Sequence, residues 1–284
     1  MIIASALFAA APAAGQSSWD AVDQALGRPG TEQPDGVRRY SFPRTDLNVR
    51  LDGVTIKPAL ALGSWLGFQR MGQRAVVMGD LVLTPDEVAP VMSELLRQGL
   101  RVTALHNHLL RSTPMTFYMH VRGEGDPAKL AASLRAALAL SHTPLGPPKQ
   151  AAQPAIDLDT AAIDRIIGRA GKPSGGVYQF TVRRREQIIE GGMAQAASMG
   201  TGTSINFQPT GGGKAAVTGD FVLLAREVDP VMRALRSAGI EVTALHSHML
   251  GETPRLYFMH FWGVGDLTQL ASGLRAALDR TNVR

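Results

Sequence analysis

Two short phrases hold the residues best suited to chemistry. ALHNHLL runs from Ala104 to Leu110 and ALHSHML from Ala244 to Leu250, and a third histidine follows each, His120 or His260. Six of the seven histidines in 284 residues thus form two matching triplets: His106, His108 and His120, then His246, His248 and His260. Three imidazole nitrogens about 2.0–2.1 Å from one ion make a zinc set with a fourth position to spare. The spacing predicts a divalent transition-metal site in each repeat, zinc first. Copper is the alternative, because Met119, Met249 and Met259 lie nearby and thioether beside imidazole suits it. Met119 and Met259 precede the third histidine by one residue, so on a strand they point away from it, and core packing accounts for them. His142, the seventh histidine, falls at a helix C-terminus, where the helix dipole explains it.

Carboxylates could complete such a site. Asp80 and Asp220 each follow a glycine within a strand, and Glu87 and Glu227 sit in the first turn of the helix after it. Both pairs also have ordinary readings: a turn or bulge residue for Asp80, and for Glu87 a helix N-terminal charge worth a few tenths of a kcal/mol. Glu87 and Glu227 are the better candidates for a general base, since a helix start beside a sheet can reach over its end. With such a base, metal-activated water makes a metal-dependent hydrolase. Without one, the metal is stored or delivered. The alternative is a metal-free pocket for an anionic small molecule or cell-wall fragment, assisted by arginines such as Arg38, Arg39 and Arg183 to Arg185. Histidines kept in both halves as core residues are a third reading.

The elements that must position these residues occur twice. Arg74 to Leu140 aligns with Lys214 to Arg280 without a gap, and about half the positions are identical, the signature of an internal repeat. GDLVLTPDEVAPVM matches GDFVLLAREVDPVM, and TPMTFYMHVRGEGD matches TPRLYFMHFWGVGD. Upstream the likeness is weaker, AVDQALGR against AIDRIIGR. Residues 1–16 read as a probable signal peptide, 17–142 as the first repeat, 143–158 as a proline-rich linker and 159–284 as the second repeat. Each repeat predicts a short helix (Trp19 to Leu26, Thr160 to Gly168) and extended segments. In the first repeat a strand (Ala75 to Leu83), a helix (Pro85 to Gln98), two strands (Arg101 to Leu109, Met115 to Arg122) and a helix (Pro127 to Leu140) follow. The order is that of an α+β protein, a ferredoxin-like α/β sandwich module in tandem, forming a pseudo-dimer. On the two-strand hairpin, pairing His106 with His120 and His108 with Tyr118 puts three imidazoles on one face. A slip of one residue would undo this.

Composition narrows the function. With no cysteine, thiolate metal sites, iron–sulfur clusters, disulfides and cysteine nucleophiles are excluded. Aromatics are only 6% and the net charge is +5, so no nucleic-acid partner is expected and the arginine runs read as solvated faces. No segment reads as transmembrane. The N-terminal apolar run Ile2 to Ala11 is too short to span a bilayer and, with small residues after it, predicts export to the periplasm or beyond. TGGGKAA (Thr210 to Ala216) fails as a phosphate loop, GTGTSI (Gly200 to Ile205) lacks the third glycine of a dinucleotide fingerprint, and no G-x-S-x-G elbow is present. HNH at His106 to His108 is too short to identify a nuclease.

The phrase GDFVLLAREVDPVMRALRSAGIEVTALHSHMLGETPRLYFMHFWGVGD and its first-repeat copy resemble the LppY/LpqO family, bacterial proteins that are often exported. The resemblance covers both repeats and implies an envelope location, without bringing a reaction or assigned roles for the histidines. Lipoprotein members need a lipobox cysteine, which this chain lacks.

Overall fold

The computed structural model describes residues 19–147 and 153–283. The expected signal peptide and part of the expected linker lie outside the described residues.

In the first repeat the elements are α1 (Asp20–Leu26), β1 (Thr31–Glu32), β2 (Arg38–Pro43), β3 (Arg50–Leu51), β4 (Val54–Thr55), α2 (Pro58–Ala61), β5 (Gly63–Met71), β6 (Arg74–Leu83), α3 (Pro85–Arg97), β7 (Arg101–His106), β8 (Phe117–Gly125) and α4 (Pro127–Leu138). The second repeat has α5 (Thr160–Ile167), β9 (Lys172–Ser174), β10 (Val177–Val182), β11 (Ile189–Glu190), β12 (Met193–Ala194), a 3-10 turn (Ala197–Met199), β13 (Thr203–Gly211), β14 (Lys214–Leu223), α6 (Ala225–Ser237), β15 (Glu241–His246), β16 (Tyr257–Asp266) and α7 (Leu267–Leu278). The helices start where the side chains favour it. Pro85 opens α3, whose Glu87 accepts the Thr84 backbone N–H, and Asp126 accepts the Lys129 N–H to cap α4.

Each repeat builds one six-stranded sheet, ordered β1-β2-β5-β6-β8-β7 and, in mirror order, β15-β16-β14-β13-β10-β9. Neighbouring strands are antiparallel throughout. The strand beside β6 comes from upstream, as β5, so the β-α-β-β-α run needs no strand after its last helix.

The two repeats are similar α/β sandwiches, and together they form a pseudo-dimer by internal duplication. One face of each sheet packs on its own helices. Phe68, Val77, Leu81, Val91, Leu95 and Val121 belong to that core in the first repeat, and Phe207, Val217, Phe221, Val231, Leu235 and Phe261 in the second. The opposite faces pack on each other. Val82, Leu51 and Tyr118 join Val177, Ala216 and Trp262, while Val37, Val76 and Met78 join Val222, Met249 and Phe258. Strand β6 is therefore buried on both faces along nearly its whole length, which explains a continuous apolar run in place of alternation. The short hairpins are clasped by the opposite repeat. Gln208 of β13 donates to the Thr55 carbonyl at 2.8 Å, and Gln69 of β5 donates to the Ala194 carbonyl at 3.1 Å. Arg122 pairs with Glu190 at 2.9 Å, and the Trp262 indole N–H donates to Asp52 at 2.9 Å.

Candidate metal centre

The histidine face is set by a bulge. Strands β7 and β8 begin by pairing Arg101 with Arg122 and Val102 with Val121, then shift so that Ala104 meets His120 and His106 meets Tyr118. Thr103 is the inserted residue. Val102 and Val121 pack toward the helices. In a regular strand Ala104 and His106 would follow Val102 to that side, because alternate residues share a face. The extra residue reverses them, so His106 emerges beside Tyr118 and His120 on the face covered by the second repeat. Strands β15 and β16 do the same between Val242 and Ala244. The inserted Thr243 also donates its hydroxyl to the His108 carbonyl at 2.6 Å, tying the two halves together. The expected pairing of His106 with His120 was thus two residues out. Two residues are one full strand period, so the shared face survives, while His108 lies beyond the end of β7 rather than opposite Tyr118.

All six histidines meet in one cluster between the sheets. This corrects the expectation of one site per repeat: the face that carries each triplet is the face that buries the other. Rings from opposite repeats stack in pairs, His106 on His246 at 3.6 Å between centroids, His108 on His260 at 3.7 Å and His120 on His248 at 3.7 Å. Ligand nitrogens of His106, His246, His248 and His260 all lie within 4.8 Å of one another, a group that could hold a metal ion. Tyr118 stacks on His108 at 3.3 Å and Phe258 on His248 at 3.5 Å, walling the cluster with rings.

Two carboxylates join the histidines, and they are Asp80 and Asp220. Asp80 pairs across the sheet with His120, and Asp220 with His260. Asp80 oxygens lie 3.8 Å from both His108 Nε2 and His120 Nε2, and Asp220 oxygens lie 3.6 Å from His248 Nε2 and 3.9 Å from His260 Nδ1. These separations exceed a hydrogen bond. They approach the roughly 3.3–3.4 Å between two ligand atoms that share a tetrahedral ion at about 2.0–2.1 Å. The glycine before each aspartate is required by the close strand approach. A Cβ on Gly219 would fall 2.0 Å from the Ser204 carbonyl oxygen, and one on Gly79 would fall 2.6 Å from that of Trp65.

Burial sets the protonation of the cluster. It pushes the His106 imidazole down to about 3, with the His246 charge adding to it, and His246 down to about 4. His108, His120, His248 and His260 are driven well below the usual range by burial and then by neighbouring histidines. All six are neutral near pH 7, the form that ligates metals. The His260 Nδ1–H donates to the Gly219 carbonyl at 2.9 Å, which leaves its Nε2 lone pair facing the cluster. Burial pushes Asp80 up to about 7 against the pull of Arg39, and Asp220 rises well above the carboxylate range through burial and the Asp80 charge.

Glu87 and Glu227, the expected bases, are engaged elsewhere. Glu87 receives Arg44 through two hydrogen bonds of 2.7 and 3.0 Å, the Thr84 N–H at 2.9 Å, and the His142 N–H at 2.7 Å. Glu227 receives Arg184 at 2.7 and 2.9 Å, the Leu224 N–H at 2.8 Å and the Asn282 N–H at 3.1 Å. The helix start does sit beside the sheet, but a buried arginine from the strand-end loop fills its carboxylate. His142 also meets Glu87, its Nδ1 3.0 Å from the carboxylate, so it braces this pair. Met119 and Met259 pack in the helix-side cores, away from the cluster, as their parity predicts. The signal that could have singled out Asp80 and Asp220 is a charged residue amid an apolar β-run, AVVMGDLVL, at matching places in both repeats.

Fold and site together define a duplicated α/β sandwich whose halves share one buried histidine–aspartate cluster. Residues 20–140 and 161–280 match the family described as Domain of Unknown Function (DUF1259), and the chain belongs to that family. This corrects the resemblance drawn from the repeated phrases: the motifs shared by both halves are those of the DUF1259 domain, not of LppY/LpqO. No curated protein matches the chain. Among solved structures, a trimeric bacterial microcompartment shell protein, PduB, aligns over 89% of each chain at 13% identity with a TM-score of 0.22. EtuB from Clostridium kluyveri aligns over 88% of each at 10% identity with a TM-score of 0.20. Likeness at that level supports no inference. Among the described residues no helix is long and apolar enough to cross a membrane.

Proposed function

We propose that the protein binds a divalent transition metal, zinc before copper, in the histidine–aspartate cluster between its repeats, and that it does so in the cell envelope or outside the cell. The observation that carries the reading is a concentration of buried polar atoms with no protein hydrogen-bond partner. They are Asp80 Oδ1, Asp220 Oδ1, both nitrogens of His246, and Nε2 of His106, His108, His120, His248 and His260. A buried polar group left bare costs about 1–3 kcal/mol, so these nine together rival the roughly 5–15 kcal/mol that stabilises a domain. Neutral imidazoles beside carboxylates are donors for a cation of borderline softness. Met119 and Met259 turn away into the helix-side cores, which favours zinc over copper.

The alternative, an anionic small molecule or cell-wall fragment, is less well supported. Uncharged imidazoles offer an anion no Coulombic attraction, and the two buried aspartates beside them add none. Metal-dependent hydrolysis has lost its expected bases to Arg44 and Arg184, so metal binding, rather than turnover, is the reading put forward. The localisation rests on residues 1–16 alone.

Elemental analysis of the dialysed, tag-free protein, beside a His106→Ala/His246→Ala double variant, tests the proposal. Retained or re-bound zinc in the wild type, lost from the folded variant, is the expected result. Wild-type protein that neither retains zinc or copper nor takes them up when supplied would overturn it.

A further inference from the structure

We infer that the cluster holds two metal ions at once, one on each side of the pseudo-twofold axis. The inference rests on the metal-binding reading and extends it from presence to number and arrangement.

The donors count to eight: six imidazoles and two carboxylates. A zinc ion takes four ligands in a tetrahedral site, so a single ion would leave half of this set unused. The four-histidine group of His106, His246, His248 and His260 shows what remains. Outside it stand Asp80, Asp220, His108 and His120, and the Nε2 atoms of His108 and His120 each lie 3.8 Å from one of the two Asp80 oxygens. Asp80 Oδ1, His108 Nε2 and His120 Nε2 are buried and have no protein partner. On the other side Asp220 lies 3.6 Å from His248 Nε2, while its 3.9 Å approach to His260 is to Nδ1, the nitrogen that donates to the Gly219 carbonyl.

The axial rings divide between the two sides. His106 lies 5.1 Å, centroid to centroid, from both His108 and His120, but 5.7 Å from His248 and 5.3 Å from His260. His246 lies 4.8 Å from His248 and 4.9 Å from His260, but 6.4 Å from His120. By ring centre each axial imidazole leans toward its own repeat, while its nitrogens reach the other as well: ligand atoms of His106 group with those of His246, His248 and His260, so the two stacked rings stand between the two ions. The stacked contacts of 3.6–3.7 Å across the axis keep both sets in one cluster rather than two separate sites.

Native mass spectrometry of the full chain, stripped of metal and titrated with zinc alone, counts the ions without any variant. Two successive additions per chain are expected. Asp80→Asn and His108→Ala/His120→Ala, each checked for folding by circular dichroism, should lose one addition and keep the other. A limit of one ion in the wild type would overturn this inference and leave metal binding standing. So would two ions that both persist in folded variants of the Asp80 side. No ion at all would overturn the metal reading itself.

Discussion

The chain buries two kinds of polar cluster: a closed ion pair within each half, and one open set of donors to which both halves contribute. Under the helices, Arg44 and Glu87 in one repeat and Arg184 and Glu227 in the other satisfy each other and the backbone around them. Between the sheets, Asp80, Asp220 and six histidines approach one another without closing hydrogen bonds. Both recur at the same offset of 140 residues, since 184 − 44, 220 − 80 and 246 − 106 give the same number. Repetition alone therefore does not separate scaffold from site. Partnering does: a closed ion pair holds a helix start against a sheet edge, whereas an open set of donors holds something else.

The sharpest way to break this contrast is to open the closed pair. Glu87→Ala leaves Arg44, with no exposed side-chain surface, only the partly exposed Asp46 as its ion partner, and should cost about 3 kcal/mol, the low end for breaking a buried pair. Urea unfolding would read that loss, while zinc stoichiometry stays at the wild-type value. If instead zinc binding fell and stability held, the assignment of roles would be reversed.

Acid should find the same pair. Burial alone would raise the Glu87 carboxyl, but hydrogen bonds from Arg44, His142 and Thr84, with the Arg44 charge, hold it at about 2 against an ordinary 4.5. A depressed carboxylate stabilises the fold fully above its unfolded value, and that stability is lost as pH falls from about 4.5 toward 2. The amount is on the order of 3 kcal/mol. Glu87→Gln should flatten this part of the stability-versus-pH curve, and an unchanged curve would count against the pair.

The open cluster should respond to chelation. Free zinc at one hundred times its Kd adds about 2.7 kcal/mol to the folded state. Stripping it should lower the Tm by several degrees, and adding zinc back should restore it. The same treatment should leave the Tm of the His106→Ala/His246→Ala variant unmoved. The smallest effect is expected from Tyr118→Phe. The variant loses the hydrogen bond to the Ala61 carbonyl, about 1 kcal/mol, but keeps the ring that Phe258 already presents to His248, so zinc binding should not change.

Much of the scaffold was legible in the residues. The gapless repeat, Pro85 after Thr84, and Asp126 before Pro127 announced the duplication and the helix starts. The histidine triplets were visible from strand parity. The bulges were not, because Thr103 and Thr243 are ordinary strand residues and nothing local marks them as insertions. The number of clusters was hidden for a different reason: a single repeat does not reveal what covers its open face. That also hid Asp80 and Asp220. In isolation a Gly-Asp step in an apolar run reads as an irregularity. Once the second sheet closes over it, the aspartate stands in the interior beside its cross-strand histidine.

A cluster split across an axis has a consequence for how it fills. Were the repeats separate chains, a complete donor set would form only when two copies met, and the concentration of complete sites would fall as the square of protein concentration on dilution. Joining α4 to α5 by a short stretch of chain replaces that encounter with an effective concentration in the millimolar range. Metal uptake then depends on the metal alone, however sparse the protein.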